Sequence, residues 1–285
     1  MFDRFIVVDW SAANAPKRGK DTIWIADSRK SEPQNPRTRT EAMNIVERAV
    51  AEATDDARLF VGFDFAFGYP SDAAFLPGGG RWEEVWAYLC DAIEDDERNR
   101  SNRFAVGAAL NRRFEGDGPF WGHPHQHRGR YDGLVMRRPD YDRLGLRERR
   151  HIDAAVPKAQ PVWKLAYSGS VGSQALTGIA RLEALRKGPH REKIAVWPFE
   201  TAFAENLERP VVLAEIYPSL WPIKARPGEV LDSAQVRTLL QGFVRAQEEG
   251  RFTEMLFGPS DPGKRAEALS HEAWMVGFKD ARLPL

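Results

Sequence analysis

Two short apolar runs set the first limit on how this chain can fold. Phe5-Ile-Val-Val-Asp9 and Leu59-Phe-Val-Gly-Phe-Asp64 hold only apolar residues and glycine until each stops at an aspartate. Runs this short, rich in β-branched and aromatic side chains, read as strands buried on both faces. Such strands need helices above and below them, and helical patterns lie close by. Ala42, Ile45, Val46, Ala49, Val50 and Ala53 recur at the spacing of one helix face. Leu176, Ile179, Leu182 and Leu185 do the same, as do Val236, Leu239, Leu240, Phe243 and Val244. Thr22–Ala26, Ile194–Trp197 and Val211–Glu215 supply three more strands. Strands alternating with helices predict an α/β sheet covered by helices.

Composition narrows the function classes. At 42% hydrophobic the chain of 285 residues is too apolar for intrinsic disorder. No apolar stretch approaches the roughly 20 residues that span a bilayer, so no membrane partner is expected. The apolar run near the N-terminus is too short for a secretory leader, and a reducing cytoplasm is the expected location. A single cysteine, Cys90, excludes intramolecular disulfides and multi-cysteine zinc sites; between Leu89 and Ile93 it reads as a small core residue. Lys plus Arg total 41, matching the 41 Asp plus Glu, so the net charge is zero and broad electrostatic capture of nucleic acid or lipid is excluded. Any such binding needs a local patch. Residues 91–97 are acidic, whereas residues 128–150 carry eight arginines against four acids, with Trp121, Tyr131 and Tyr141 nearby. That segment is either a solvated face or a phosphate-contacting one, with Arg128 and Arg130 as candidate contacts.

The middle of the chain lacks the clean periodicity of its ends. Trp82, Val85, Trp86, Leu89 and Ile93 mark one helix, and the rest is rich in Gly, Pro, Arg and His. The expected organisation is a core of residues 1–70 and 163–285 with an insertion or cap at 71–162. His123, His125 and His127 alternate within it. On a strand they could share a face and hold zinc; in a cap they could contact phosphate or donate protons. The loop Ser168-Gly-Ser-Val-Gly-Ser173 precedes a helix, and could cradle phosphate with help from Lys164 and Gln174, or serve as an ordinary flexible connection.

Four carboxylates stand where apolar segments end. Asp9 shares a strand face with Phe5 and Val7, Asp64 with Phe60 and Gly62, and Glu215 with Val211 and Leu213. Asp232 lies one turn before Val236, where Asp232-Ser-Ala-Gln235 also comes close to a capping box. An ionised carboxylate at an apolar edge is costly unless paired or metal-bound. Ligands of open α/β sheets gather outside the carboxyl ends of the strands. Converging there, these acids would suit Mg²⁺ or Mn²⁺, which take hard oxygen ligands.

In their order and wording these motifs resemble a predicted-nuclease family with an RNase H-like fold, the domain of unknown function 429. The resemblance is carried by Phe5-Ile-Val-Val-Asp9-Trp-Ser-Ala, Val61-Gly-Phe-Asp64-Phe-Ala-Phe-Gly-Tyr-Pro70, Glu215-Ile-Tyr-Pro218, Asp232-Ser-Ala and Glu272-Ala-Trp-Met-Val-Gly277. It covers residues 5–70 and 163–278. It implies a five-stranded mixed sheet flanked by helices, with acids gathered at the ends of the two central strands. It also implies that Asp9, Asp64, Glu215 and Asp232 hold metal and carry catalysis. Gln235 stands where the family often has a further acid, and Trp10 where small residues are usual.

The function expected on these grounds is Mg²⁺- or Mn²⁺-dependent hydrolysis of a phosphodiester in nucleic acid or a nucleotide-type substrate, with nucleic acid or a phosphorylated small molecule as the expected partner. Trp10, Ser11, Lys164, Ser168, Ser170, Arg128 and Arg130 are the expected substrate contacts. One alternative is a nucleotide-binding phosphotransferase of the actin or sugar-kinase type, which needs a duplicated core. The other is a binding protein that keeps the fold without metal chemistry.

Overall fold

A computed structural model describes residues 1–278; positions 279–285 of the expected core segment lie outside the described residues. The strands are β1 (Arg4–Asp9), β2 (Trp24–Asp27), β3 (Leu59–Phe63), β4 (Ile194–Val196) and β5 (Val211–Glu215). The longer helices are α1 (Arg39–Glu52), α2 (Trp82–Ala92), α3 (Arg103–Asn111), α6 (Val171–Lys187) and α7 (Leu231–Glu248). Three short ones, α4 (Tyr141–Leu144), α5 (His151–Ala155) and α8 (Pro262–Glu267), complete the α-helices among the described residues.

The strands form one mixed sheet in the order β2-β1-β3-β5-β4. β1 pairs antiparallel with β2, with Asp9 opposite Trp24, and parallel with β3, with Val8 opposite Phe63. β3 and β4 both run parallel to β5, and Phe63 lies opposite Glu215. β1, β3 and β5 therefore have strand neighbours on both sides, and their sequences are apolar almost throughout because both faces of the sheet are covered.

Alternation along each strand divides the core in two. Ile6, Val8, Val61, Phe63, Val211 and Leu213 pack on one face, against α1, α2, α3 and α6. Phe5, Val7, Phe60, Val212 and Ala214 pack on the other, against α7 and the segment around Trp274 and Val276. Close approach fixes the helix above the first face: a Cβ on Gly178 of α6 would sit 2.3 Å from the ring of Phe65, just beyond the end of β3.

Residues 71–162, expected to form an insertion or cap, contribute to the first of these layers. Trp82, Val85 and Trp86 of α2, and Phe104 and Leu110 of α3, are buried in the same apolar cluster as Ile6 and Val8. α1 begins where the sequence expects a helix, with the Thr38 side chain accepting from the Glu41 amide at 3.1 Å as its cap. Cys90 lies half-buried on α2. No helix among the described residues is long and apolar enough to cross a membrane.

Candidate functional site

β1, β3 and β5 all end at the same edge of the sheet, and a two-lobed cleft opens there. The larger lobe, about 560 Å³, is lined by Asp9, Trp10, Ser11, Asp21, Arg103, Ser168–Ser170, Asp232 and Gln235. The smaller, about 170 Å³, is lined by Asp64, Arg150, Asp153, Glu215 and Tyr217. Gly169 and Gln174 border both lobes. All four acids expected from sequence reach this cleft, but they do not form one cluster. Among the described residues, no three of them bring carboxylate oxygens within 4.8 Å of one another.

Strand parity explains part of the separation. Glu215 pairs with Phe63 and belongs to the α6 face, whereas Asp9 follows Phe5 and Val7 on the α7 face. Arg150 explains the rest. Its guanidinium donates to both oxygens of Glu215 at 2.6 and 2.7 Å and to both oxygens of Asp153 at 2.8 Å. It also reaches the Glu272 carbonyl at 2.8 Å. Burial works against the charge on Arg150, yet Asp153 and Glu215 hold its pKa well above the ordinary value. Burial raises the Glu215 carboxyl as well, and Arg150 pulls it part of the way back. Glu215 also accepts the Phe67 amide at 2.9 Å, so its charge is already answered by protein.

Asp9 and Asp64 stand in contrast. Among the described residues, no hydrogen-bond donor and no cationic side chain meets either carboxylate, though both are half-buried. Burial holds the Asp9 carboxyl well above the usual range, and the charges of Asp64, Asp232 and Asp21 push it further. Burial, with Glu215 nearby, pushes Asp64 up to about 7. Asp232 sits in the first turn of α7 but forms no capping box. Val230 is the cap residue and makes no side-chain bond there, and Asp232 instead accepts the Asp21 amide at 2.7 Å across the cleft mouth.

The expected substrate contacts fall into three groups. Ser11, Ser168 and Ser170 line the larger lobe. Trp10 lines it too, but its indole is a core group, only 1% exposed, donating to Thr177 Oγ1 at 3.3 Å and packed against Phe63 and Phe65. Lys164 turns away: its Nζ donates to the Ser168 carbonyl at 2.5 Å and lies over the Trp121 ring, so it braces the loop. Arg128 and Arg130 are exposed and line neither lobe. The arginine-rich segment does not act as one patch, because Arg138 pairs with Glu148, Arg147 with Asp72, Glu267 and Glu272, and Arg150 with Glu215 and Asp153.

The three alternating histidines do not lie along a strand. His125 and His127 belong to a single 3₁₀ turn, and no three-ligand metal group includes any of the three among the described residues. His123 Nδ1 instead lies 3.0 Å from the Pro124 carbonyl. A different trio, His151, Glu267 and Glu272, does place ligand atoms within 4.8 Å of one another. Arg147 already bridges its two carboxylates at 3.0 and 2.6 Å, and the Ser71 and His151 amides donate to Glu272 at 3.0 and 2.7 Å. This trio is a satisfied cross-link between the segment after β3 and the C-terminal segment.

Two cleft residues carried no readable signal in sequence: Arg150, one of eight arginines in its segment, and Arg103, at the start of α3. Comparison of the chain with protein-family models, with curated proteins and with solved structures found no match in any of the three.

Proposed function

We propose that the cleft is the centre of a metal-dependent phosphodiester hydrolase of RNase H-like fold, acting on nucleic acid or a nucleotide-like phosphate ester. The observation that carries this reading is the pair Asp9 and Asp64, two recessed, mutually repelling carboxylates that no group of the described protein neutralises. Such an arrangement is costly without a cation. An all-oxygen donor set suits Mg²⁺ or Mn²⁺. Asp9, Asp64 and the second oxygen of Asp232 are the groups that would hold it, and Glu215, engaged by Arg150, is not. The sheet order, with Asp9 and Asp64 at the ends of β1 and β3 and α7 starting beside them, supports the RNase H-like assignment.

A bound ion supplies charge to a phosphoryl oxygen and acidifies a water. Asp9 and Asp64 position that charge, while the Arg150–Glu215 pair keeps the floor of the smaller lobe rigid. Duplicated-core phosphotransfer gains nothing from the described residues, which contain a single sheet. The test is Mn²⁺-dependent hydrolysis of bis(p-nitrophenyl) phosphate and of a labelled single-stranded oligonucleotide. Asp9→Asn is expected to lose activity by about a hundredfold or more while its circular dichroism is unchanged. Equal activity in the variant contradicts the reading, and Mn²⁺ binding without turnover of either substrate favours a non-catalytic binding protein.

A further inference from the structure

The larger lobe holds a second charge that the protein leaves unanswered, and it is positive. Arg103 is only 8% exposed, and no carboxylate lies within ion-pair distance of it among the described residues. Its Nε donates to Ser173 Oγ at 3.0 Å, and one terminal nitrogen donates to Asn14 Oδ1 at 2.9 Å and Ser101 Oγ at 2.8 Å. All three acceptors are neutral. The guanidinium lies over the Phe104 ring, and its other terminal nitrogen has no hydrogen-bond partner among the described residues. Asp95, whose charge reaches Arg103, is already bound by Arg39 and Arg181. A buried cation without a counter-ion is costly, and a cavity wall is where an incoming anion can repay that cost.

The loop that leads into α6, beside Arg103 in the same lobe, offers further donors. The first-turn amides of α6 are spent: those of Val171 and Gly172 bond the Gly169 and Lys164 carbonyls at 2.9 Å, and that of Ser173 bonds Ser170 at 3.1 Å. The amides of Ser168, Gly169 and Ser170 have no acceptor among the described residues. Lys164 braces this loop by donating to the Ser168 carbonyl, and Gln174 ties the start of α6 to the residue that follows β1 by donating to the Trp10 carbonyl at 2.5 Å. The lobe is therefore lined both by acids, Asp9 and Asp232, and by donors, Arg103 and the 168–170 amides.

We propose that Arg103 and the Ser168–Ser170 loop form a phosphate subsite, taking the backbone phosphate next to the one held at Asp9 and Asp64. The neighbouring-phosphate part rests on the hydrolase reading; the anion site itself does not. It assigns the substrate to phosphodiester chains carrying more than one phosphate, and it makes Arg103 a substrate-binding residue.

The experiment is fluorescence anisotropy of a fluorescein-labelled oligothymidylate, measured in Ca²⁺ and separately in EDTA. Arg103→Met and Ser170→Asp are each expected to weaken binding about tenfold or more, by loss of a charge-assisted bond and by repulsion respectively. Ser170 is the cap residue of α6, where aspartate is well tolerated, so the second variant keeps its fold even if the first does not. Thermal unfolding of both variants checks this. No binding by the native protein in either condition, or native-like binding by both folded variants, overturns the proposal. Loss of binding in both variants, with no Mn²⁺-dependent hydrolysis by the native protein, sustains the anion site and removes the hydrolase reading instead.

Discussion

Asp64 shows at the level of one residue how the cleft trades stability for a charge. In the unfolded chain its carboxyl titrates near 3.9; in the folded protein burial and Glu215 push it up to about 7. Between those values the folded state keeps a proton that the unfolded chain releases, so stability falls as pH rises through that window and is level above it. Asp64→Asn removes this loss. In EDTA the variant is expected to match the native protein at pH 4 and to exceed it by about 1–2 kcal/mol at pH 8, the gain being trimmed by contact with cleft water. Denaturant unfolding at the two pH values checks this, and a variant less stable at pH 8 contradicts it. Asp9 and Asp64 were legible in sequence because each ends an apolar run that has no other polar residue. Arg103 and Arg150 were not, because what distinguishes them is the partner each has or lacks, and Arg150 meets Glu215 across 65 residues of chain.

At the level of elements, the Arg150 side chain ties the start of α5 to the end of β5. Arginine at this point satisfies two buried carboxylates at once, and removing it leaves both charged and enclosed. Arg150→Met is expected to cost about 3–5 kcal/mol, read by denaturant unfolding, with part of the loss recovered in the double variant Arg150→Met/Glu215→Gln. A loss below about 1 kcal/mol would mean that the link between α5 and β5 is dispensable. The elements themselves were largely readable, since apolar runs and helical stripes are local. β2 is the instructive shift: it begins at Trp24 rather than Thr22, because β1 ends at Asp9 opposite Trp24 and Asn35 takes the Ile23 carbonyl at 2.6 Å. The parity of Glu215 was also present in sequence, in its shared face with Val211 and Leu213. Its consequence appears only once Phe63 is known to be its partner.

At the level of the whole molecule, one sheet brings three strand ends to a common edge, and residues from both sides of it line the cleft. The segment 71–162 joins that construction through Arg103 and Arg150 as well as through the core, which is why its irregular sequence gave no sign of its place. Zero net charge over the chain conceals a cleft in which, among the described residues, no cation pairs the carboxyl groups of Asp9 and Asp64 and no carboxylate pairs the guanidinium of Arg103. The measurement that bears most directly on this account is calorimetric titration of the metal-free protein with Mn²⁺ at pH 7.5, beside the Asp9→Asn/Asp64→Asn double variant. The account requires saturable binding with release of protons by the native protein, and none by the variant. No saturable heat from the native protein, or the same binding in the variant, would contradict it.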